Sequence, residues 1–271
     1  MLLRRYAYYI SSIFTLLTGF RNPIKIIGIF LGANVDKDTI VQLRGSELKF
    51  KVRGKMDVWS LKETLLDRFY ERFGFAVQDG WTIVDIGGGI GDYTIFAAHG
   101  HNLARVTAFE PFPESYRLLQ ENLVLNQIRN VQLSAQAIGS REGRLQFAAG
   151  QVDPLSRQTT LASTEIAGES LSVDAIRLES VLALPNIGRI DLLKLDCEGA
   201  EYDILLNSPA AVLEKIDRIV MEYHDGVTPF NHLDLANYLT EHGYQVESWE
   251  NYAHAYIGYL RAIRLTGSVR N

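Results

Sequence analysis

The feature that most restricts what this chain can fold into is a strand that empties into glycines. Thr82, Ile83, Val84, Asp85 and Ile86 form a short, mostly β-branched run, and Gly87, Gly88, Gly89 and Gly91 follow before a helical pattern opens at Asp92. Glycine reaches positive φ and omits the Cβ that would collide with an approaching ligand. A buried strand ending this way implies a parallel sheet with a binding floor at its carboxyl edge. The flanking sequence agrees. Apolar runs at 105–109, 131–135, 190–195 and 216–223 alternate with helical patterns at 92–99, 113–126 and 232–241, as in an α/β fold with a mostly parallel sheet covered on both faces. Stretches 245–249 and 255–264 lie too close together for a crossover helix, so they are expected to pair antiparallel.

Other segments fit around this frame. Residues 139–180 break the rhythm with small and polar residues, read as a surface excursion with a hairpin around 148–168. Residues 40–43 and 48–52 flank a Gly45-Ser46 turn and read as a second hairpin. Val58, Leu61, Leu65 and Phe69 recur at helical spacing, predicting one helix over 57–73 with Asp57 as its N-cap. The chain therefore divides into an N-terminal extension of helix and hairpin, 1–56, and a main domain, 57–271.

Residues 1–33 carry two apolar stretches, 6–20 and 24–33, separated by Arg21, Asn22 and Pro23. Neither reaches the ~20 residues a bilayer span needs, and no small-residue cleavage site follows, so a cytoplasmic location is expected. Tyr6, Tyr9, Ile10, Ile13, Phe14 and Leu17 share one helical face. That face is expected to pack on its own domain or on a partner subunit. The second reading is an interfacial helix with Arg4 and Arg5 near lipid headgroups.

Composition removes several function classes. With 271 residues, 47% of them hydrophobic and 22% charged, the chain resembles neither a disordered nor a collagenous sequence. Its single cysteine excludes an internal disulfide and any cysteine-rich metal centre. A net charge of −5 without a long basic run gives no footprint for nucleic acid.

The glycines distinguish two cofactor classes. Dinucleotide sites use Gly-x-Gly-x-x-Gly with a helix N-terminus facing a pyrophosphate. Here Gly87, Gly89 and Gly91 run Gly-x-Gly-x-Gly, with Asp85 two positions ahead. A carboxylate repels a diphosphate and attracts a cationic amino-acid tail, which favours S-adenosylmethionine. Glu110, followed by Pro111, ends the second strand, where a carboxylate can accept both ribose hydroxyls. Gln136 and Ala137, after the third strand, occupy the adenine-contacting position of such folds. Alone, Glu110 would pass for a solvated strand-end charge; the glycine turn upstream changes that.

A second dense segment runs from Ile190 to Glu201. Its strand delivers Asp196 and Glu198 at the carboxyl end, with Gly199 letting the chain turn beside them. The next strand ends in Glu222, Tyr223, His224 and Asp225 on the same rim. Such a group can take a proton from a hydroxyl, with Asp196 or His224 as base and Glu198 orienting one of them. It can also hold a divalent cation. Plainer roles exist for their neighbours: Lys194 pairing with an acid inside the sheet, Cys197 as a small buried residue, Glu201 and Asp203 capping the next helix.

The stretches from Val84 to Asp92, from Phe109 to Pro111 and, most specifically, Lys194-x-Asp196-x-Glu198-Gly199-Ala200-Glu201 resemble the FkbM family of S-adenosylmethionine-dependent methyltransferases, over roughly 57–250. Gly88 and Cys197 stand where related sequences more often carry Ala and Val. The resemblance implies a Rossmann-like class I methyltransferase with a seven-stranded, mostly parallel sheet and an antiparallel last strand. It implies methyl transfer to a hydroxyl of a small-molecule or glycan acceptor, such as a sugar or natural product. Residues 1–56, outside the shared core, would shape the acceptor site or an oligomer contact. The rivals are a nicotinamide-dependent oxidoreductase, disfavoured by glycine spacing, and a noncatalytic scaffold.

Overall fold

The computed structural model describes residues 2–32, 39–148 and 170–265. Ala33 and the stretch read as an excursion at 149–168 lie outside these. Helices α1 (Leu2–Gly19) and α2 (Pro23–Phe30) lead into the hairpin of β1 (Ile40–Gln42) and β2 (Lys49–Lys51), whose strands pair antiparallel with Val41 opposite Phe50.

The single helix expected over 57–73 is broken in three. Helix α3 (Lys55–Leu61) passes into a π turn over Lys62–Leu66, and α4 (Phe69–Arg72) restarts after Arg68, at φ 54°. Gly54, not Asp57, precedes α3; Asp57 is buried, accepting from the Arg53 amide at 2.6 Å and pairing with its guanidinium at 2.8 Å. Apolar spacing reports which side faces the core, not how tightly the turns wind. The wide turn is closed by the Asp67 amide donating to the Lys62 carbonyl, five residues back.

Lys62 also explains a second departure. Its ammonium is buried and donates to Ser12 Oγ at 2.7 Å and Tyr8 OH at 3.0 Å, while pairing with Asp67 at 2.6 Å. α1 is therefore seated through the side bearing Tyr8, Ser12 and Leu16. Of the expected apolar face, Tyr6, Ile10, Ile13 and Phe14 remain 59–70% exposed. A buried cation needs oxygen partners more than α1 needs its most apolar side covered.

The main domain alternates as the sequence implies: β3 (Thr82–Ile86), α5 (Asp92–Ala98), β4 (Arg105–Phe109), α6 (Pro113–Leu125) and β5 (Val131–Ser134). A side sheet follows, made of β6 (Ala137–Ile138), β7 (Gly143–Ala148) and β8 (Ser170–Ile176), with β7 and β8 antiparallel as the expected hairpin requires. Then come α7 (Leu178–Leu182), β9 (Leu192–Leu195), α8 (Ala200–Leu206), α9 (Ala210–Leu213), β10 (Arg218–His224), α10 (His232–Glu241), β11 (Tyr244–Glu250) and β12 (Ile257–Arg264).

The main sheet has the order β11-β12-β10-β9-β3-β4-β5, and only β12 runs antiparallel to its neighbours. From β3 the chain winds outward through β4 and β5, then returns to lay β9 on the other side of β3. That reversal opens a crevice at the carboxyl ends of β3 and β9. Ile86 is in register with Leu195, so Gly87 and Asp196 leave the sheet together. The central strands are buried on both faces: Ile83, Val84, Leu192, Leu193, Leu195 and Val220 show no exposure. The extension shares this interior, with Leu16, Phe20, Val41 and Phe50 packed in one cluster with Ile90, Ile95 and Leu118.

Candidate active site

A cavity of about 660 Å³ lies over the carboxyl edge of the sheet, within the usual range for ligand pockets. Gly87, Gly89, Glu110, Pro111, Gln136, Ala137, Asp196, Glu198 and His224, all read as site residues from sequence, line it together. Asp85 and Gly91 do not.

The three glycines divide their work. A Cβ on Gly87 would lie 1.9 Å from the Asp196 carbonyl oxygen, so this glycine lets β9 come close. One on Gly91 would press on Leu119 at 3.0 Å, so this one lets α6 pack. A Cβ on Gly89 would meet nothing nearer than Asp92 Oδ1 at 3.9 Å, and its backbone is left open to the cavity. Gly89 alone keeps space for a ligand.

Asp85 is the clearest correction. It ends in the sheet interior, wholly buried, 3.0 Å from the Lys194 ammonium and accepting from Thr94 Oγ1 at 2.5 Å. Successive strand side chains alternate between faces, and Asp85 is on the face away from the cavity while Ile86 lines it. The paired acid foreseen for Lys194 is this one. Burial alone would pull the Lys194 ammonium down, but Asp85 and Asp196 hold it charged. Lys194 also donates to the Gly87 carbonyl at 2.9 Å, so the pair props the glycine turn from beneath.

Glu110 sits where the second strand delivers it. Its carboxylate accepts from the Gly89 amide at 2.7 Å and the Phe112 amide at 2.9 Å, which fixes it beside the glycine turn. Burial raises it to about 7, against the pull of those two amides. Asp92, Glu110, Asp196, Glu198 and Glu222 all line the cavity. Among the described residues, Lys55, an exposed one, is the only lysine or arginine that does. Such a lining accepts hydrogen bonds from hydroxyls and ammonium groups and repels a diphosphate. It fits an adenosyl donor with a cationic tail.

On the other side of the crevice, His224 ends β10. Its Nδ1 lies 3.2 Å from Glu201 Oε1 and its Nε2 3.6 Å from Glu198 Oε2. Glu201 is wholly buried and accepts from the Cys197 and Gly199 amides, both at 2.8 Å, so its carboxylate is fixed before it meets the imidazole. The residue-level reading offered Glu201 as a helix cap or a solvent-facing acid; its hold on His224 joins α8 to the end of β10 and has no local signal. Burial pulls the His224 imidazolium down, but Glu201, Glu198 and Glu222 outweigh it and raise it well above the usual histidine range. Burial and nearby Asp196 likewise push the Glu222 carboxyl well up. Asp196 is half-buried and accepts from Tyr70 OH at 2.6 Å, a partner supplied by the interrupted helix and unread in sequence. Cys197, expected as a small buried residue, is only half-buried: it packs on the core on one side and lines the cavity on the other, because it follows Asp196 out of the sheet.

Ligand atoms of Asp196, Glu201 and His224 lie within 4.8 Å of one another, which is close enough for a divalent cation. Glu201 Oε1, however, already accepts from the Cys197 amide and meets His224 Nδ1, and its Oε2 accepts from the Gly199 amide.

The side of the cavity nearest the N-terminal helices and the last hairpin has aromatic walls. Tyr8, Tyr9 and Phe30 reach it from α1 and α2, Trp59 from α3, and Tyr256 and Tyr259 from the last hairpin.

Sheet order, glycine turn and strand-end acid together define a class I, Rossmann-like methyltransferase fold. Residues 85–246 match the family model described as the methyltransferase FkbM domain, and the chain belongs to that family. Among curated proteins it is similar to Methyltransferase 1 of Beauveria bassiana, 28% identical over 62% of this chain and 74% of that one. It is also similar to the 31-O-demethyl-FK506 methyltransferase FkbM of Streptomyces tacrolimicus, 27% identical over 69% of this chain and 78% of that one. Among solved structures, methyltransferase FkbM of Methylobacillus flagellatus aligns with a TM-score of 0.48 at 16% identity, over 77% of this chain and 54% of that one.

Proposed function

We propose that this methyltransferase uses S-adenosylmethionine to methylate a hydroxyl of a sugar or natural-product acceptor, with His224 as the general base. The observation that carries this reading is that Glu110, fixed on the glycine turn, and His224, fixed by Glu201, line the same cavity. S-adenosylmethionine supplies a methyl group on a sulfonium sulfur, which the acceptor oxygen displaces in line.

The chain's own part is positioning and proton transfer. Glu110 accepts the ribose hydroxyls with the lone pairs its two amide donors leave free, and Gly89 gives the adenosyl group room. Gln136 and Ala137 flank the adenine. The acids facing the cavity compensate the donor's positive charge. His224 donates Nδ1–H to Glu201, which leaves Nε2 to accept the acceptor's proton; Glu198 and Glu201 then stabilise the resulting imidazolium. Asp196 already accepts from Tyr70 and is read as orienting the donor rather than as the base. The name of the Streptomyces relative, an enzyme of 31-O-demethyl-FK506, supports an oxygen acceptor.

Calorimetry tests the donor assignment. The wild type should bind S-adenosylmethionine and not NADH. Glu110→Ala should lose about 10–100-fold in affinity, as expected for hydrogen bonds to a charged acceptor. Unchanged affinity in that variant, or binding of NADH instead, would overturn the reading.

A further inference from the structure

Helices α1 and α2 each have two apolar sides, and the domain uses one. Inward, Leu16, Phe20, Ile26 and Ile29 join the shared core. Outward, Tyr6, Ile10, Ile13 and Phe14 on α1 are 60, 69, 59 and 70% exposed, and Ile24 and Leu31 on and after α2 are 85 and 82% exposed. Isolated exposed apolar residues need no explanation. A row recurring along one side of a helix does.

The charge around these helices says what covers them. Residues 1–35 contain Arg4, Arg5, Arg21 and Lys25 and no aspartate or glutamate, in a chain of net charge −5. All four cations are exposed; Arg21 has an acidic partner, the exposed Glu47 at 3.2 Å. We propose that the outer faces of α1 and α2 lie on a bilayer surface with anionic headgroups, apolar side chains in the interface and cations among the phosphates. An amphipathic helix binds such a surface through its apolar area plus attraction to anionic lipid. Pairing the same face with a second copy across a two-fold axis would bring these cations together, like facing like. Among the described residues no helix is long and apolar enough to cross a membrane, so the contact is superficial.

Flotation of the full chain with vesicles provides the test. The protein should float with phosphatidylcholine vesicles containing phosphatidylglycerol, float far less with phosphatidylcholine alone, and detach as salt is raised. Ile10→Glu/Phe14→Glu should cut the bound fraction at least about tenfold. Ile24→Glu/Leu31→Glu, on the other helix, should act in the same direction. All four side chains face solvent, and an unchanged melting temperature establishes that each variant folds. The proposal fails if the wild type does not float with anionic vesicles, or if both double variants float like wild type. It also fails if light scattering finds a wild-type dimer that either double variant turns into a monomer.

Discussion

Replacing Asp85 with alanine should unfold this protein more readily before it changes any ligand contact. The carboxylate is wholly buried, the Lys194 ammonium 3.0 Å away is 3% exposed, and no other carboxylate is nearer to Lys194 than Asp196 at 4.0 Å. Asp85→Ala leaves the ammonium with the Gly87 carbonyl as its hydrogen-bonding partner. Breaking one side of a buried ion pair costs about 3–5 kcal/mol, mostly as the desolvation of the charge left behind. For a domain of this size each kcal/mol lowers the melting temperature by about 2–4 °C, so a fall of about 6–20 °C is expected. Adding Lys194→Met should restore most of it, because the uncompensated charge is then gone. Thermal melts of wild type, both single variants and the double variant give the cycle. A single Asp85→Ala variant melting within about 2 °C of wild type, or a double variant no more stable than it, would refute the argument.

Two further outcomes follow from the histidine end of the cavity. His224 is a base only when unprotonated and its carboxylate neighbours raise it, so kcat/KM should climb as pH rises through a value above the usual ~6.5. Glu201→Gln removes a raising charge, so that limb should move to lower pH while turnover drops by ~10²-fold or more; a limb that stays in place would remove His224 from the role. Because Glu201 Oε1 already accepts from the Cys197 amide and, in the tautomer assigned, from His224 Nδ1–H, dialysis against EDTA should leave turnover and melting temperature unchanged; lost activity restored by a divalent ion would assign Asp196, Glu201 and His224 to a metal instead.

Much of the frame could be read along the chain. Alternating apolar and helical segments fixed the strand identities, and the short gap before 257–264 forced β12 to run antiparallel to β11. Glu110 was legible because its distance from the glycine turn is a local matter of one strand, one helix and one strand. Local pattern also explains the failures. Periodicity cannot report that Lys62 will need Tyr8 and Ser12, so it could not tell that α1 seats on its own domain through that side rather than through its most apolar face, and it missed the π turn.

The sequence by itself determined that a parallel sheet ends in a glycine floor with acids around it, because periodicity, glycine and strand-end charge act over a few neighbouring residues. Only the tertiary structure decided what each acid does. Asp85 is turned inward to Lys194, Glu201 is aimed at His224 from the first turn of α8, and Tyr70 is brought to Asp196 across 126 residues. Whether a carboxylate meets a ligand, a buried cation or an imidazole depends on the face of the sheet it occupies and on what the neighbouring strand presents there, and chain distance carries neither.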